Sequence, residues 1–288
     1  MRTAIVTGAN QGLGLALVKG LVGRVDRVLL TGRDPARVAA AAEQTGAEGR
    51  VRDVRDGSAI AALAEALGTV DLVVSNAGAR ISPTVPPAYE VDALVDTNNL
   101  GAIRMLRAFA PRLRPGGRML VVASSFGTLG HLDPAVRPRL DGASLDEVEA
   151  VVEDWRRAVK AGRAEAQGWP RWLNIPSKVA QVAAVRAVAA QRRERDLAEN
   201  ILVAAVCPGL FDTEASRPWF EDFSHAMTPD EAAVAPLELL LAPAVDPALY
   251  GELVRFGNVL PWRAEIARGA RAGQATALAS TSSSLPSS

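Results

Sequence analysis

Cysteine is almost absent: Cys207 is the single one in 288 residues, which rules out an intrachain disulfide and suits a reducing cytoplasm. It follows the apolar run from Ile201 to Val206 and reads as packing rather than as a nucleophile. Net charge is lacking too. The formal sum is +0 at pH 7 with an isoelectric point of about 6.8, so no global field draws the chain to nucleic acid or an anionic membrane. A small molecule is the expected partner. Nowhere do about eighteen uncharged apolar residues run together, and the chain opens on a strand pattern, so neither membrane spanning nor secretion is expected. No metal site is expected. Phenolic side chains are equally scarce, Tyr89 and Tyr250 being the only tyrosines.

What is present suits a full core. Hydrophobic residues make up 49% of the chain and charged residues 22%, and 288 residues fit one α/β domain. Short apolar runs at 3–7, 27–30, 70–74, 118–123 and 201–206 alternate with helical stretches at about 13–22, 35–44, 58–67, 89–113 and 177–193. This is the pattern of parallel strands joined by right-handed helical crossovers, so the expected fold class is an α/β, Rossmann-type doubly wound parallel sheet. A segment at 131–169 interrupts the alternation before the last helix. Within it Ser144 and Glu147 form a capping box ahead of Leu145, Val148, Val152, Trp155 and Val159, which predicts an inserted amphipathic helix. The domain is expected to span 1–262. The Ala-, Arg- and Ser-rich stretch 263–288 buries too little apolar surface to offset ordering entropy and is expected to be a disordered tail.

The first strand runs into Gly8-Ala9-Asn10-Gln11-Gly12-Leu13-Gly14 and then a helix. Glycines there let the backbone turn sharply and let a pyrophosphate reach the amides at the helix start, which makes Gly8, Asn10, Gln11, Gly12, Leu13 and Gly14 candidate cofactor residues. The second strand ends at Leu30-Thr31-Gly32-Arg33, where a carboxylate would favour NAD. Arg33 offers a planar cation instead, suited to a 2′-phosphate and hence to NADP(H); the alternative is a solvated surface arginine. Asp53, followed by Val54, is placed at the end of a third short strand, where it either meets the adenine amino group or caps the next turn.

These segments together resemble short-chain dehydrogenases/reductases. Thr7 to Gly14 resembles their TGxxxGxG turn, and Ser75-Asn76-Ala77-Gly78 their NNAG motif with the first Asn replaced. Thr97-Asn98 matches the helix bearing the family's active-site Asn, Ser124-Ser125 its catalytic Ser strand, and Pro208-Gly209-Leu210-Phe211-Asp212-Thr213 its nicotinamide-side PGxxxT loop. The resemblance runs from Met1 to about Trp262. It implies NADPH/NADP+ as cofactor, held also by Asn76, Ala77, Gly78, Lys178, Pro208, Gly209, Phe211 and Thr213, with Ser125, Lys178 and Asn98 as catalytic residues. The insertion followed by Gly168-Trp169-Pro170 resembles the monomeric carbonyl-reductase branch. That implies a monomer, in which the inserted helix covers the face other members use to dimerise.

One element of the family's site is missing. The family places Tyr four residues before Lys on one helix, so that both project from one face. Lys178 is present, one of only three lysines with Lys19 and Lys160, but four positions earlier stands Asn174. Hydride addition to a ketone builds negative charge on oxygen, and an amide can donate a hydrogen bond to it but cannot deliver a proton. The acid role therefore does not carry over to Asn174. Lys178 can still bind ribose hydroxyls, Ser125 a substrate carbonyl, and Asn98 a water near Lys178. In this the chain is similar to Tyr-lacking ketoreductases of aromatic polyketides of the angucyclinone type. The resemblance implies NADPH-dependent reduction of an aromatic ketone, with a neighbouring phenol of the substrate as proton source; its ordinary pKa of about 10 equals that of tyrosine. His131, Ser125 and a water are rival sources. A lid at 214–227 brings Trp219, Phe220, Phe223 and Met227, which with Phe126 and His131 either meet a flat substrate or simply pack on the body. Two further functional classes stay open: an NADP(H)-binding regulator without activity, and a non-redox cyclase or isomerase.

Overall fold

The computed structural model of the chain describes residues 1–210, 217, 219, 222–224 and 226–263. Phe211, Thr213, Phe220 and the expected tail from 264 lie outside the described residues. The apolar runs form β1 (Thr3–Thr7), β2 (Arg27–Gly32), β3 (Glu48–Val51), β4 (Val70–Ser75), β5 (Leu113–Val122), β6 (Leu202–Val206), β7 (Leu253–Arg255) and β8 (Asn258–Leu260). They make one sheet in the order β3-β2-β1-β4-β5-β6-β7-β8, parallel except for β8, which turns back on β7. Every residue of β1 and of β6 is buried, as strands covered on both faces require. The covering helices are α1 (Gly12–Leu21), α2 (Pro35–Thr45), α3 (Gly57–Leu67), α4 (Pro87–Leu94), α5 (Gly101–Phe109), α6 (Leu145–Lys160), α7 (Asn174–Ala198) and α8 (Pro229–Leu241). The chain order therefore reverses between β1 and β4, and the crevice outside their carboxyl ends is where this topology binds ligands.

Three local expectations are corrected. The third strand ends at Val51, because its last paired residue faces Gly32 at the end of β2; Asp53 lies beyond the strand. The fifth strand begins at Leu113, where pairing with Val70 precedes an irregularity before Leu72. The helix expected at 89–113 is divided: between α4 and α5 the residues Val95–Leu100 form a π turn, in which Gly101 N–H reaches back five residues to the Asp96 carbonyl. Such bulges gather at functional sites, and this one carries Asn98. β7, β8 and α8 had no counterpart in the sequence pattern.

The inserted helix is α6, with both arms of the Ser144–Glu147 capping box formed. Its apolar stripe buries Val148, Val152, Trp155 and Val159 against α4, the π turn and α7, and Arg156 pairs with Asp96 at 2.6 Å. At the opposite end of the sheet Arg118 is almost wholly buried. Its guanidinium donates to the carbonyls of Gly116, Gly117, Asn200 and Ala242 at 2.6 to 3.0 Å, and the last two bonds tether the middle of β5 to the chain ahead of β6 and after α8. Among the described residues no helix is long and apolar enough to cross a membrane, and no cluster of three His, Cys, Asp or Glu could hold a metal.

Trp155 is only 1% exposed, so truncating it leaves a cavity under the insertion. Trp155→Ala is expected to lose about 3–5 kcal/mol of stability, read as a lower urea midpoint; a loss under about 1 kcal/mol would mean that α6 is not packed as described.

Candidate active site

The carboxyl ends of β1, β4, β5 and β6 open on one cleft of about 610 Å³. Its floor is built by the turn after β1. Thr7 Oγ1 accepts the amides of Asn76 and Ala77 at 3.0 and 3.1 Å, while Asn76 Nδ2 donates to the carbonyls of Thr7 and Gly8 at 2.9 and 3.2 Å. The two turns are thereby clamped so closely that a Cβ on Gly8 would stand 2.7 Å from Ala77 Cα and one on Gly14 2.5 Å from Asn76 Nδ2. Gly12 is different. It has φ +55° and nothing within 4 Å of where a Cβ would stand, so its open side lies along the cleft.

No side chain caps the first amides of α1, leaving its N-terminus available to an anion. The would-be cap, Gln11, accepts from Arg37 at 2.7 Å instead. Arg37 borders the cleft; Arg33 does not line it but stands exposed just after β2, where its charge helps to lower the pKa of Asp53. Uncapped amides, an open glycine and two arginines fit the pyrophosphate and extra phosphate of a dinucleotide.

At the other side of the cleft Ser125, Asn174 and Lys178 come together, the last two on one face of α7. Lys178 Nζ donates to the Val122 carbonyl at 3.2 Å and to Gln181 Oε1 at 2.8 Å. Among the described residues no carboxylate meets it, and desolvation pulls its pKa down from 10.5 to about 8. Asn98 borders the cleft, but its Oδ1 accepts the Ala79 amide at 2.8 Å and its carbonyl accepts Gln181 Nε2 at 3.0 Å. The bridge expected of a water on Asn98 is therefore made by a side chain. Beside it Asn99 and Ser177 bond reciprocally, Asn99 Nδ2 to the Ser177 carbonyl at 2.8 Å and Ser177 Oγ to Asn99 Oδ1 at 3.0 Å. The side chains of Ser125 and Asn174 make no hydrogen bond among the described residues.

Aromatic rings line the mouth. Trp172 meets Phe126 edge to face at 4.9 Å and Trp219 at 5.2 Å, and Trp219 Nε1 donates to the Ile81 carbonyl at 3.2 Å. Pro208 and Gly209 border the cleft from the end of β6.

Several expected site residues do not face this cleft. Asp53 accepts the Arg55 amide at 2.9 Å and both its oxygens are gripped by the Arg55 guanidinium, which holds its carboxyl below the usual range. It caps its turn. Val54 is buried against Gly101, Asn10 packs on Gly32, and Ala77 backs Gly8. His131 sits behind Phe126, with Nδ1 3.0 Å from Thr128 Oγ1, and Met227 packs over Gly209. Sequence reasoning missed Gln181, Trp172 and Arg37. Gln181 carried a spacing signal, three residues after Lys178 on the same helix, whereas Trp172 and Arg37 are brought to the cleft by the turn before α7 and by α2.

A family described as short chain dehydrogenase matches residues 2–134. Carbonyl reductase (NADPH) 1 of Macaca fascicularis is 30% identical over 278 residues, covering 91% of this chain and 99% of its own. Carbonyl reductase (NADPH) 3 of Mus musculus is 31% identical over 281 residues, covering 91% and 98%. The chain belongs to the short-chain dehydrogenase/reductase family. Two solved members share its fold at 22% identity and a TM-score of 0.73: salutaridine reductase from Papaver somniferum, covering 88% of this chain and 99% of its own, and menthone neomenthol reductase from Mentha piperita, covering 89% and 99%.

In this short-chain reductase Lys178 leaves a titration to measure. The unfolded chain keeps the ordinary 10.5 while the fold lowers it to about 8, so the unfolded state binds more protons in between and stability rises with pH across that window. Lys178→Met is expected to flatten that rise in urea titrations run across the window. Parallel pH slopes for the two proteins would contradict the burial of the charge.

Proposed function

We propose that this short-chain reductase is an NADPH-dependent ketoreductase, acting as a monomer in the cytoplasm on a ketone of a flat aromatic polyketide of the angucyclinone kind, and that a phenol beside that ketone supplies the proton. One observation carries the reading: Lys178 and Ser125 stand around a cleft in which the position four before Lys178 is Asn174, beneath a wall of Phe126, Trp172 and Trp219. The cofactor assignment is supported by the relatives whose names carry NADPH and by Arg33 and Arg37 next to the uncapped start of α1. The monomer is supported by α6, which lies over α4 and α7.

When bound, the reduced nicotinamide supplies a hydride to the ketone carbon. The chain binds, orients and stabilises. Amides of the first turn of α1 hold the pyrophosphate, and Arg33 with Arg37 answer the 2′-phosphate. Lys178 keeps one N–H beyond those given to Val122 and Gln181 and offers it to ribose hydroxyls. Ser125 Oγ donates to the carbonyl oxygen, which gains charge as the carbon takes up two electrons. The adjacent phenol then gives its proton to that oxygen: one O–H bond breaks as another forms, and water reprotonates the phenolate. Asn174 donates to the same oxygens and keeps its protons. The aromatic wall stacks on the rings and excludes water.

Two outcomes test this. A hydroxy-ketone with its phenol beside the carbonyl is expected to turn over about a hundredfold or more faster than its O-methylated analogue, the usual worth of a general acid; equal rates would sink the proposed proton source. Replacing both Arg33 and Arg37 by Ala is expected to weaken NADPH binding about tenfold while leaving NADH binding unchanged, measured by fluorescence titration. Equal losses for the two cofactors would remove the 2′-phosphate from this corner.

A further inference from the structure

Gln181 occupies the place between Asn98 and Lys178. Its orientation is set by chemistry: an ammonium only donates, so Lys178 must meet Oε1, and the Asn98 carbonyl only accepts, so it must meet Nε2. Gln181 is 3% exposed, and both ends of its amide are engaged. Asn98 turns its side-chain oxygen to the Ala79 amide and offers Gln181 its main-chain carbonyl. Lys178 is thus gripped by two neutral oxygens, of Val122 and Gln181, and one of its three N–H bonds is left beside the cleft.

Gln181 and Asn174 also stand in relation to each other. They lie three positions after and four before Lys178, on the same face of α7. At both places where a proton would pass to or from the ammonium the chain carries an amide, which donates and accepts hydrogen bonds without handing a proton on.

We propose that Gln181 is a positioning residue that aims the remaining N–H of Lys178 at the ribose hydroxyls of the cofactor and cuts Lys178 off from proton exchange through the π turn. The proposal deepens the reading above and rests on its placing of NADP(H) in this cleft. Below its folded pKa of about 8 it makes Lys178 an oriented cation rather than a member of a proton relay. Among the described residues the Cys207 thiol, just after β6, is the titratable group that acts on Lys178; β5 presents the Val122 carbonyl and α7 the Gln181 amide, which reaches on to the Asn98 carbonyl of the π turn.

Gln181→Leu and Gln181→Glu, made in the full chain, test it. NADPH is titrated by fluorescence across pH, kcat and KM for NADPH are measured with an aromatic hydroxy-ketone, and the stability of the free protein is followed from about pH 8 to about pH 10.5. Gln181→Leu is expected to raise the Kd for NADPH about tenfold, the worth of one hydrogen bond to a charged group, with the loss falling on KM rather than on kcat. Gln181→Glu keeps an acceptor for Lys178 and adds a charge. It is expected to move the alkaline limb of NADPH binding to higher pH and to flatten the rise in stability of the free protein. An unchanged Kd in Gln181→Leu, a loss confined to kcat, or an unmoved limb in Gln181→Glu overturns the proposal. Should Gln181→Leu fail to fold, the limb in Gln181→Glu decides alone. If no ketone is turned over, the ketoreductase reading falls while the binding and stability measurements still judge Gln181.

Discussion

An ammonium taken out of water and given no carboxylate must be held by oxygens that carry only partial charge, and this constraint organises the end of the sheet at which the cleft opens. Lys178 takes the Val122 carbonyl from β5 and an amide oxygen from its own helix. The bond to Val122 ties the first turns of α7 to the tip of the strand, where Asn174 and Ser125 line the same cleft. The neighbouring Asn99–Ser177 pair and the Gln181–Asn98 bond fasten α7 to the π turn, so the helix is held on two sides by polar contacts within an otherwise apolar interface. A part of the Lys178 charge is left unanswered on the cleft side, and a bound group that carries hydroxyls or negative charge would complete it.

The two halves of the cleft have opposite character. Around the turn after β1 the surface is backbone amide, glycine and arginine, suited to phosphate. Around the turn after β5 it is Phe126, Trp172 and Trp219, suited to flat carbon rings. Ser125, Asn174 and Lys178 lie where these surfaces meet, the place at which a reacting carbon has to sit between its two partners.

Much of this was legible in the sequence because it rests on local signals. The alternation of apolar runs located five of the strands, and the capping box located α6 before any coordinates. The Gly8–Gly14 turn and the spacing of Asn174 from Lys178 are matters of neighbouring residues, and both stand as expected. What escaped depends on contacts between distant segments. Asp53 reads as either a cofactor carboxylate or a turn cap, and the sequence does not show that Arg55 grips it; His131 reads as either an acid or a loop residue, and the sequence does not show its ring against Phe126. The π turn leaves no mark in hydrophobic periodicity. Gln181 was a polar residue on a buried helix face, a signal that acquires meaning only once Asn98 is known to lie opposite. β7 and β8 are three residues each, too short for any period to show.

β5 is held by two cations: the Arg118 guanidinium midway along it, which bonds the Asn200 and Ala242 carbonyls of neighbouring segments, and the Lys178 ammonium on the Val122 carbonyl at the finish. A strand held only by its ladder can trade one register for the next by sliding about 3.3 Å. Here such a slide would pull Arg118 off the Asn200 and Ala242 carbonyls and carry the Val122 carbonyl off Lys178 in the same movement. The two anchors make the strand a fixed ruler, so the spacing between Ser125 and α7 is gauged in part by a side chain midway along β5.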